Sequence, residues 1–292
     1  MKHRLLCVIF TFIIPLFGCQ TIHKNQEEQS KEQAILASQK SLIVNFLNKG
    51  VPNMALKELR RLLTLHPKDP DFLNLMGLTQ LALENPNQAI KYFRRAYTVH
   101  PRTSVALNLS SAYIEAGRFA KAIQVLKKVK DDPVSQNYQH PERIFHNIAL
   151  AAERNQNNRM AEKYYIVALS ENPNYYLSLM RLGQLYERTK RPVDAQKTFS
   201  KAKSACPKCF DPVNALAMGF VASGKHKSAY IILRRYLNKK EIPDDGRQKA
   251  EKLITMVKKI ARSRAKRDMA NARARKNRAE NNGKQKSSPK SF

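Results

Sequence analysis

Residues 179–207 read LMRLGQLYERTKRPVDAQKTFSKAKSACP, and this stretch decides the fold. In its first half Leu179, Leu182, Gly183 and Tyr186 recur at helical spacing, so they share one face of a helix. In its second half Ala195, Phe199 and Ala202 share one face of another, and Pro207 ends the unit. Gly183 and Ala195 are small, which lets two antiparallel helices approach closely while Tyr186 and Phe199 fill the groove beside them. A pair of this kind cannot bury its apolar stripe alone and needs neighbours on both sides.

Those neighbours are in the chain. Pro173 stands 34 residues before Pro207, preceded by Ala161, Tyr165 and Ala168. Pro67 and Pro101 are again 34 apart, with Leu73, Met76, Gly77, Ala89, Phe93 and Ala96 between them. This order of large, small and helix-breaking positions is the tetratricopeptide pattern. The predicted fold is all-α: a right-handed superhelical solenoid of about six tetratricopeptide helix pairs over residues 34–243, with a C-terminal capping helix and a basic tail.

The first pair carries Phe46, a Gly-Val-Pro-Asn turn at 50–53, Ala55 and Leu59, and closes at Pro67. The second runs from Pro70 to Pro101, and the third carries Leu109, Tyr113, Gly117, Ala122 and Leu126. Residues 131–144, DDPVSQNYQHPERI, then interrupt the array as a loop, because Pro133 and Pro141 break helices. The fourth pair resumes with Phe145, Ile148 and Ala149, the fifth is the opening stretch, and the sixth carries Val213, Leu216, Phe220, Gly224, Ala229 and Leu233 up to Pro243. In 244–262 the residues Ala250, Leu253, Ile254, Val257 and Ile260 make one apolar face, suited to capping the open end of a solenoid.

The N-terminus reads differently. MKHR and then LLCVIFTFIIPLF give a positive start and an apolar core too short for an ordinary membrane-spanning helix. The core ends in Leu16-Phe17-Gly18-Cys19, which resembles a bacterial lipobox, although Phe17 is bulkier than usual at its position. On that reading 1–18 is a lipoprotein signal peptide, Cys19 carries the lipid, and the polar stretch 19–33 is a tether. An ordinary signal peptide or an uncleaved anchor is the alternative. Several acyl chains on one residue, palmitate among them, exceed the two signals that stable anchoring takes. Asp after the lipidated cysteine is the inner-membrane retention rule for such proteins, so Gln20 resembles an outer-membrane address. The expected location is the periplasmic face of the outer membrane.

The net charge of +30 and pI near 10.2 call for anionic partners. An exported chain leaves nucleic acid the least expected of these. From Lys258 to Lys290 thirteen Lys or Arg face only Asp268 and Glu280. The tail 263–292 is basic and partly disordered on this reading, with helix continuing as far as about Ala279. Arg262, Arg264, Lys266, Arg267, Arg273, Arg275, Lys276 and Arg278 are its candidates for contact with anionic lipid or cell-wall polymer. The alternative is a solvated tail with no target.

No catalytic constellation emerges, and no enzyme activity, cofactor or metal is expected. His66 and His100 each precede a proline and stand 34 apart, so repetition explains them; His140 and His146 flank the loop with no third ligand. Asp131-Asp132 and Asp244-Asp245 fit helix ends. Cys206 and Cys209 form a C-x-x-C without a second cysteine pair. In an oxidising compartment they read as a local disulfide pinning the turn between pairs five and six, with free thiols or redox or metal use as alternatives. Partner binding is expected on the concave surface, lined mostly by the first helix of each pair. Asn74, Asn108, Asn147, Arg181 and Asn214 are the candidate contacts, weighed against ordinary helix-bridging polar residues. Of Tyr175 and Tyr176, one is placed to face that groove.

Together these features resemble the type IV pilus pilotins, the PilF/PilW family of outer-membrane tetratricopeptide lipoproteins that includes Tgl. The resemblance rests on the lipobox, the six repeats, and the interruption, where Tyr138-Gln139-His140-Pro141-Glu142-Arg143 leads into Asn147-Ile148-Ala149-Leu150. It implies a non-enzymatic assembly factor that binds the secretin subunit and promotes its multimerisation at the outer membrane. The basic tail departs from the family pattern. The rival reading is a cell-wall-associated lipoprotein scaffolding a peptidoglycan enzyme or another envelope complex.

Overall fold

The structure, a computed structural model, describes residues 17–132 and 137–286, with side chains for 30–132 and 137–278. Residues 1–16 of the 1–18 signal-peptide reading, residues 133–136 of the loop and the last six residues lie outside the described residues. The described residues form thirteen helices and no strand: α1 (Phe17–Asn48), α2 (Pro52–Leu65), α3 (Pro70–Ala82), α4 (Pro86–Val99), α5 (Thr103–Glu115), α6 (Phe119–Lys130), α7 (Pro141–Arg154), α8 (Asn158–Glu171), α9 (Tyr176–Arg188), α10 (Pro192–Ala205), α11 (Asp211–Ala222), α12 (His226–Leu237) and α13 (Asp244–Lys286). Within α1–α5 and within α6–α13, consecutive helices pack on one another, as in a helical solenoid.

Proline and backbone turns set the punctuation. Pro52, Pro70, Pro86, Pro141 and Pro192 each open a helix, where the missing N–H costs nothing. Every pair turns through one left-handed residue: Gly50, Glu84, Gly117, Gln156, Lys190 and Gly224, with φ between 58° and 73°. Around each, two backbone bonds close the preceding helix; Lys190 donates to the Glu187 carbonyl at 3.1 Å and Arg191 to that of Tyr186 at 2.8 Å.

The close approach read from Gly183 is present. A Cβ there would sit 2.5 Å from Cε1 of Phe199, and one on Gly77 would sit 2.5 Å from Cε1 of Phe93. Both rings are buried. The chain divides into two compact units, Met1–Arg118 and Phe119–Phe292. In the first, Ile43 of α1 packs with Ala55, Leu59, Phe72 and Met76. In the second, one core gathers Tyr165, Leu182, Phe199 and Leu216. Its end is closed by Ala250, Leu253, Ile254 and Val257 of α13, packed on Val213, Ala229, Leu233 and Tyr236.

Three boundaries differ from the sequence reading. The stretch 19–33, read as a tether, is the outer part of α1, since it holds Gln, Glu and Lys with no Gly or Pro to break a helix. The interruption gives way to α7 at Pro141 rather than after residue 144, because proline suits the first helical position. The tail is one helix with the cap and runs past Ala279 to Lys286, ahead of the next proline at Pro289.

Candidate partner-binding groove

In the second unit the first helices of three successive pairs, α7, α9 and α11, line an open groove of about 690 Å³. Phe199 of α10 reaches its floor. The repeat makes the cause legible. Leu73 and Leu107 stand 34 apart and are buried at 1% and 2% exposure. Counted from the ring position that Phe93, Leu126, Tyr165, Phe199 and Leu233 share, the equivalents of Leu107 are Asn74, His146, Met180 and Asn214, and the last three line the groove. Leu179 and Val213, one residue earlier, are the equivalents of Leu73 and are buried at 1% exposure, so the position after the buried one is the position that borders the groove.

The groove is apolar with charged edges. Leu177 and Met218 are 51% and 41% exposed inside it. Arg181 supplies a cation, and Glu187 and Asp211 supply acids. Burial holds the Glu187 carboxyl above its ordinary range. Burial, and then Asp211, push the Tyr176 hydroxyl up. A surface of this make-up can seat an extended or helical segment with apolar anchors and a carboxylate for Arg181.

Behind the groove lies a buried polar network. His146 Nδ1 is 2.9 Å from Ser178 Oγ, which joins α7 to α9. The ring packs edge-on against Tyr175 at 5.4 Å and beside Tyr165 at 5.6 Å. Burial, and then the Arg181 charge, push the imidazole down to about 4, although Glu153 acts in the other direction. Tyr165 occupies the repeat position held by Phe93, Leu126, Phe199 and Leu233. Its hydroxyl therefore needs a partner that those hydrocarbons do not, and it donates to Glu153 Oε2. Arg188 Nη1 holds the other oxygen of Glu153 at 2.8 Å. Burial and the Glu153 bond drive the Tyr165 pKa upward. His146 and this network were missed in the sequence, where His146 read as a histidine lacking ligands.

The candidate contacts divide. Asn108, Asn147 and Arg181 occupy one repeat position, whereas Asn74 and Asn214 fall one residue earlier, at that of His146. In the first unit Asn108 donates to Asn74 Oδ1 at 2.9 Å, so these two bridge α3 and α5. In the second unit Asn147 is half-buried on α7, while Arg181 and Asn214 share the groove. Tyr176 is the tyrosine that faces it.

Cys206 and Cys209 are joined in a disulfide, with Cα atoms 5.4 Å apart. Their turn is also held from α12 and its end: Tyr236 donates to the Lys208 carbonyl at 3.0 Å and Lys239 to that of Pro207 at 2.7 Å. Cys19 lies in α1, with its side chain outside the described ones. Arg262, Arg264, Lys266, Arg267, Arg273, Arg275, Lys276 and Arg278 are all exposed along α13. His66 and His100 cap the ends of α2 and α4, and Asp244 and Asp245 open α13. Among the described residues no three His, Cys, Asp or Glu side chains converge as for a metal ion, and no helix is long and apolar enough to cross a membrane.

A tetratricopeptide repeat model matches residues 74–136 and 146–208. The second match takes in most of α7 and all of α9, two of the three groove helices. No protein of curated function matches the sequence. Among solved structures, PilW, described as a widely conserved type IV pilus biogenesis factor, superposes with TM-score 0.60 at 17% identity, covering 74% of this chain and 97% of that one. PilF of Pseudomonas aeruginosa gives TM-score 0.56 at 18% identity, over 74% of this chain and 96% of that one. Yeast Tom70 gives 0.59 at 14% identity, over 75% of this chain and 46% of that one. At these identities the likeness is one of fold.

Proposed function

We propose that the protein is a non-enzymatic scaffold that binds a segment of a partner protein in the α7–α9–α11 groove. The observation that carries this is the groove itself, where the repeat-equivalent His146, Met180 and Asn214 of three successive first helices stand beside the exposed Leu177 and Met218. Helical-repeat surfaces of this kind serve binding, not bond-making. Our finer reading is a pilotin-like lipoprotein: anchored through Cys19 at the periplasmic face of the outer membrane, it takes the type IV pilus secretin subunit and promotes its multimerisation. The lipobox at Leu16–Cys19 and the likeness of fold to PilW and PilF over most of the chain support it. Deleting the gene should leave the secretin as monomers and abolish surface pili. Heat-stable secretin multimers formed normally in the deletion strain would reject the pilotin reading.

One observation favours a second reading. Beyond its packed stretch, α13 carries exposed cations on more than one side and no apolar stripe. Such a rod suits an anionic polymer better than insertion into a bilayer. A scaffold for a peptidoglycan enzyme, held on the wall by α13, would then replace the pilotin. Loss of wall-enzyme localisation in the deletion strain, with pili intact, identifies that case.

A further inference from the structure

The outer face of the first unit carries cations in a repeat of its own. On α2 they are Lys57, Arg60 and Arg61, and 34 residues later on α4 they are Lys91, Arg94 and Arg95. All six are exposed. Leu63 of α2 and Tyr92, Ala96 and Tyr97 of α4 join one cluster around Leu73 of α3. Internal partners use little of this charge. Arg61 holds Glu58 at 2.5 Å, and Arg95 donates to the Pro67 carbonyl at 3.0 Å. Arg60, Lys91 and Arg94 form no ion pair among the described residues, and α4 contains no acidic residue at all.

Between the end of α2 and α4 the surface dips into a pocket of about 500 Å³. Lys68, Lys91, Arg94 and Arg95 ring it, and Pro67, Leu73 and Val99 form its apolar wall. Leu65 and Val99, the last residues of α2 and α4, again stand 34 apart and are 62% and 47% exposed. Cations above, with aliphatic side chains at the same edge, match the layered chemistry of a bilayer surface, phosphate outside and acyl chain beneath. A nucleic acid would match the cations and leave Leu65 and Val99 in water.

We propose that this face docks on an anionic phospholipid bilayer, with the Lys68–Lys91–Arg94–Arg95 pocket receiving a lipid phosphate and Leu65 and Val99 entering the interface. The contact is independent of the groove and of the lipid at Cys19. Each basic residue at an anionic surface raises affinity about fivefold.

Lysine acetylation of the full-length protein, read by mass spectrometry, tests the proposal. Phosphatidylglycerol–phosphatidylcholine vesicles should protect Lys68 and Lys91, and pure phosphatidylcholine vesicles should not. In the double variant Arg60→Gln/Arg94→Gln, with helix content unchanged by circular dichroism, half-protection should need more than about tenfold more lipid. Equal labelling of Lys68 and Lys91 with and without anionic vesicles would overturn the proposal. So would protection by duplex DNA or an anionic polysaccharide at least as complete as that by the vesicles, since either would mark a polyanion site in which the aliphatic edge plays no part.

Discussion

Gly183 lacks a side chain because Phe199 fills the space one would occupy. Gly183→Ala should destabilise the second unit by about 1–3 kcal/mol, as overpacking does in a tight core. Gly219 of α11 has nothing within 4 Å of a Cβ, so Gly219→Ala should be neutral or stabilising by up to about 1 kcal/mol. Urea unfolding of the two variants checks both signs. His146 gives the second residue-scale test. Its ordinary value is 6.5 and the fold pushes it down to about 4, so between those values the unfolded chain binds a proton that the folded one does not. Stability is therefore full above the upper value and falls as pH drops toward the lower one, by at most on the order of 3 kcal/mol. His146→Leu puts in the residue that Leu107 supplies at this repeat position and should flatten that slope in pH-dependent melting. The two residues differ in legibility for a physical reason. Gly183 and Phe199 recur with Gly77 and Phe93, so the repeat announces their packing. His146 stands at a position that varies from pair to pair, with Asn74, Leu107, Met180 and Asn214 as its equivalents, so the sequence shows neither its depth nor its partner, Ser178.

Among the elements, the helix pairs could be read closely because apolar spacing, proline starts and small residues all point the same way. The loop residues were harder. The left-handed turn falls on glycine in three pairs but on Glu84, Gln156 and Lys190 in the others, where sequence gives no cue and the two closing hydrogen bonds hold the backbone. The far end runs past the expected limit near Ala279 because residues 280–286 hold no proline to stop the helix. In α13 the packing stops near Val257 and Ile260, and residues from Arg262 onward are exposed. Ending the chain after residue 262 should therefore shift the thermal midpoint of the second unit by only a few degrees, while the helical circular dichroism falls. A large drop in midpoint would mean that the outer part of α13, starting with the Arg264 contact at Gly224, contributes to the core.

For the whole molecule, the fold was legible and the opening of the groove was not, because the repeat fixes which faces are buried and only departures from it mark a site. The five polar candidates were chosen for their position on first helices, and that rule mixes two roles. Asn74 and Asn108 tie neighbouring helices together in the first unit, while Arg181 and Asn214 face the groove in the second. The central claim is that this groove holds a segment of the secretin subunit. A photo-crosslinking amino acid placed in cells at Leu177 or Met218, both exposed in the groove, tests it most directly, with Val193 of α10, 77% exposed, as the control site. The account predicts a cross-link to the secretin subunit from 177 and 218 and none from 193. Cross-links of equal yield from all three, or from 177 and 218 only to a cell-wall enzyme, would contradict it.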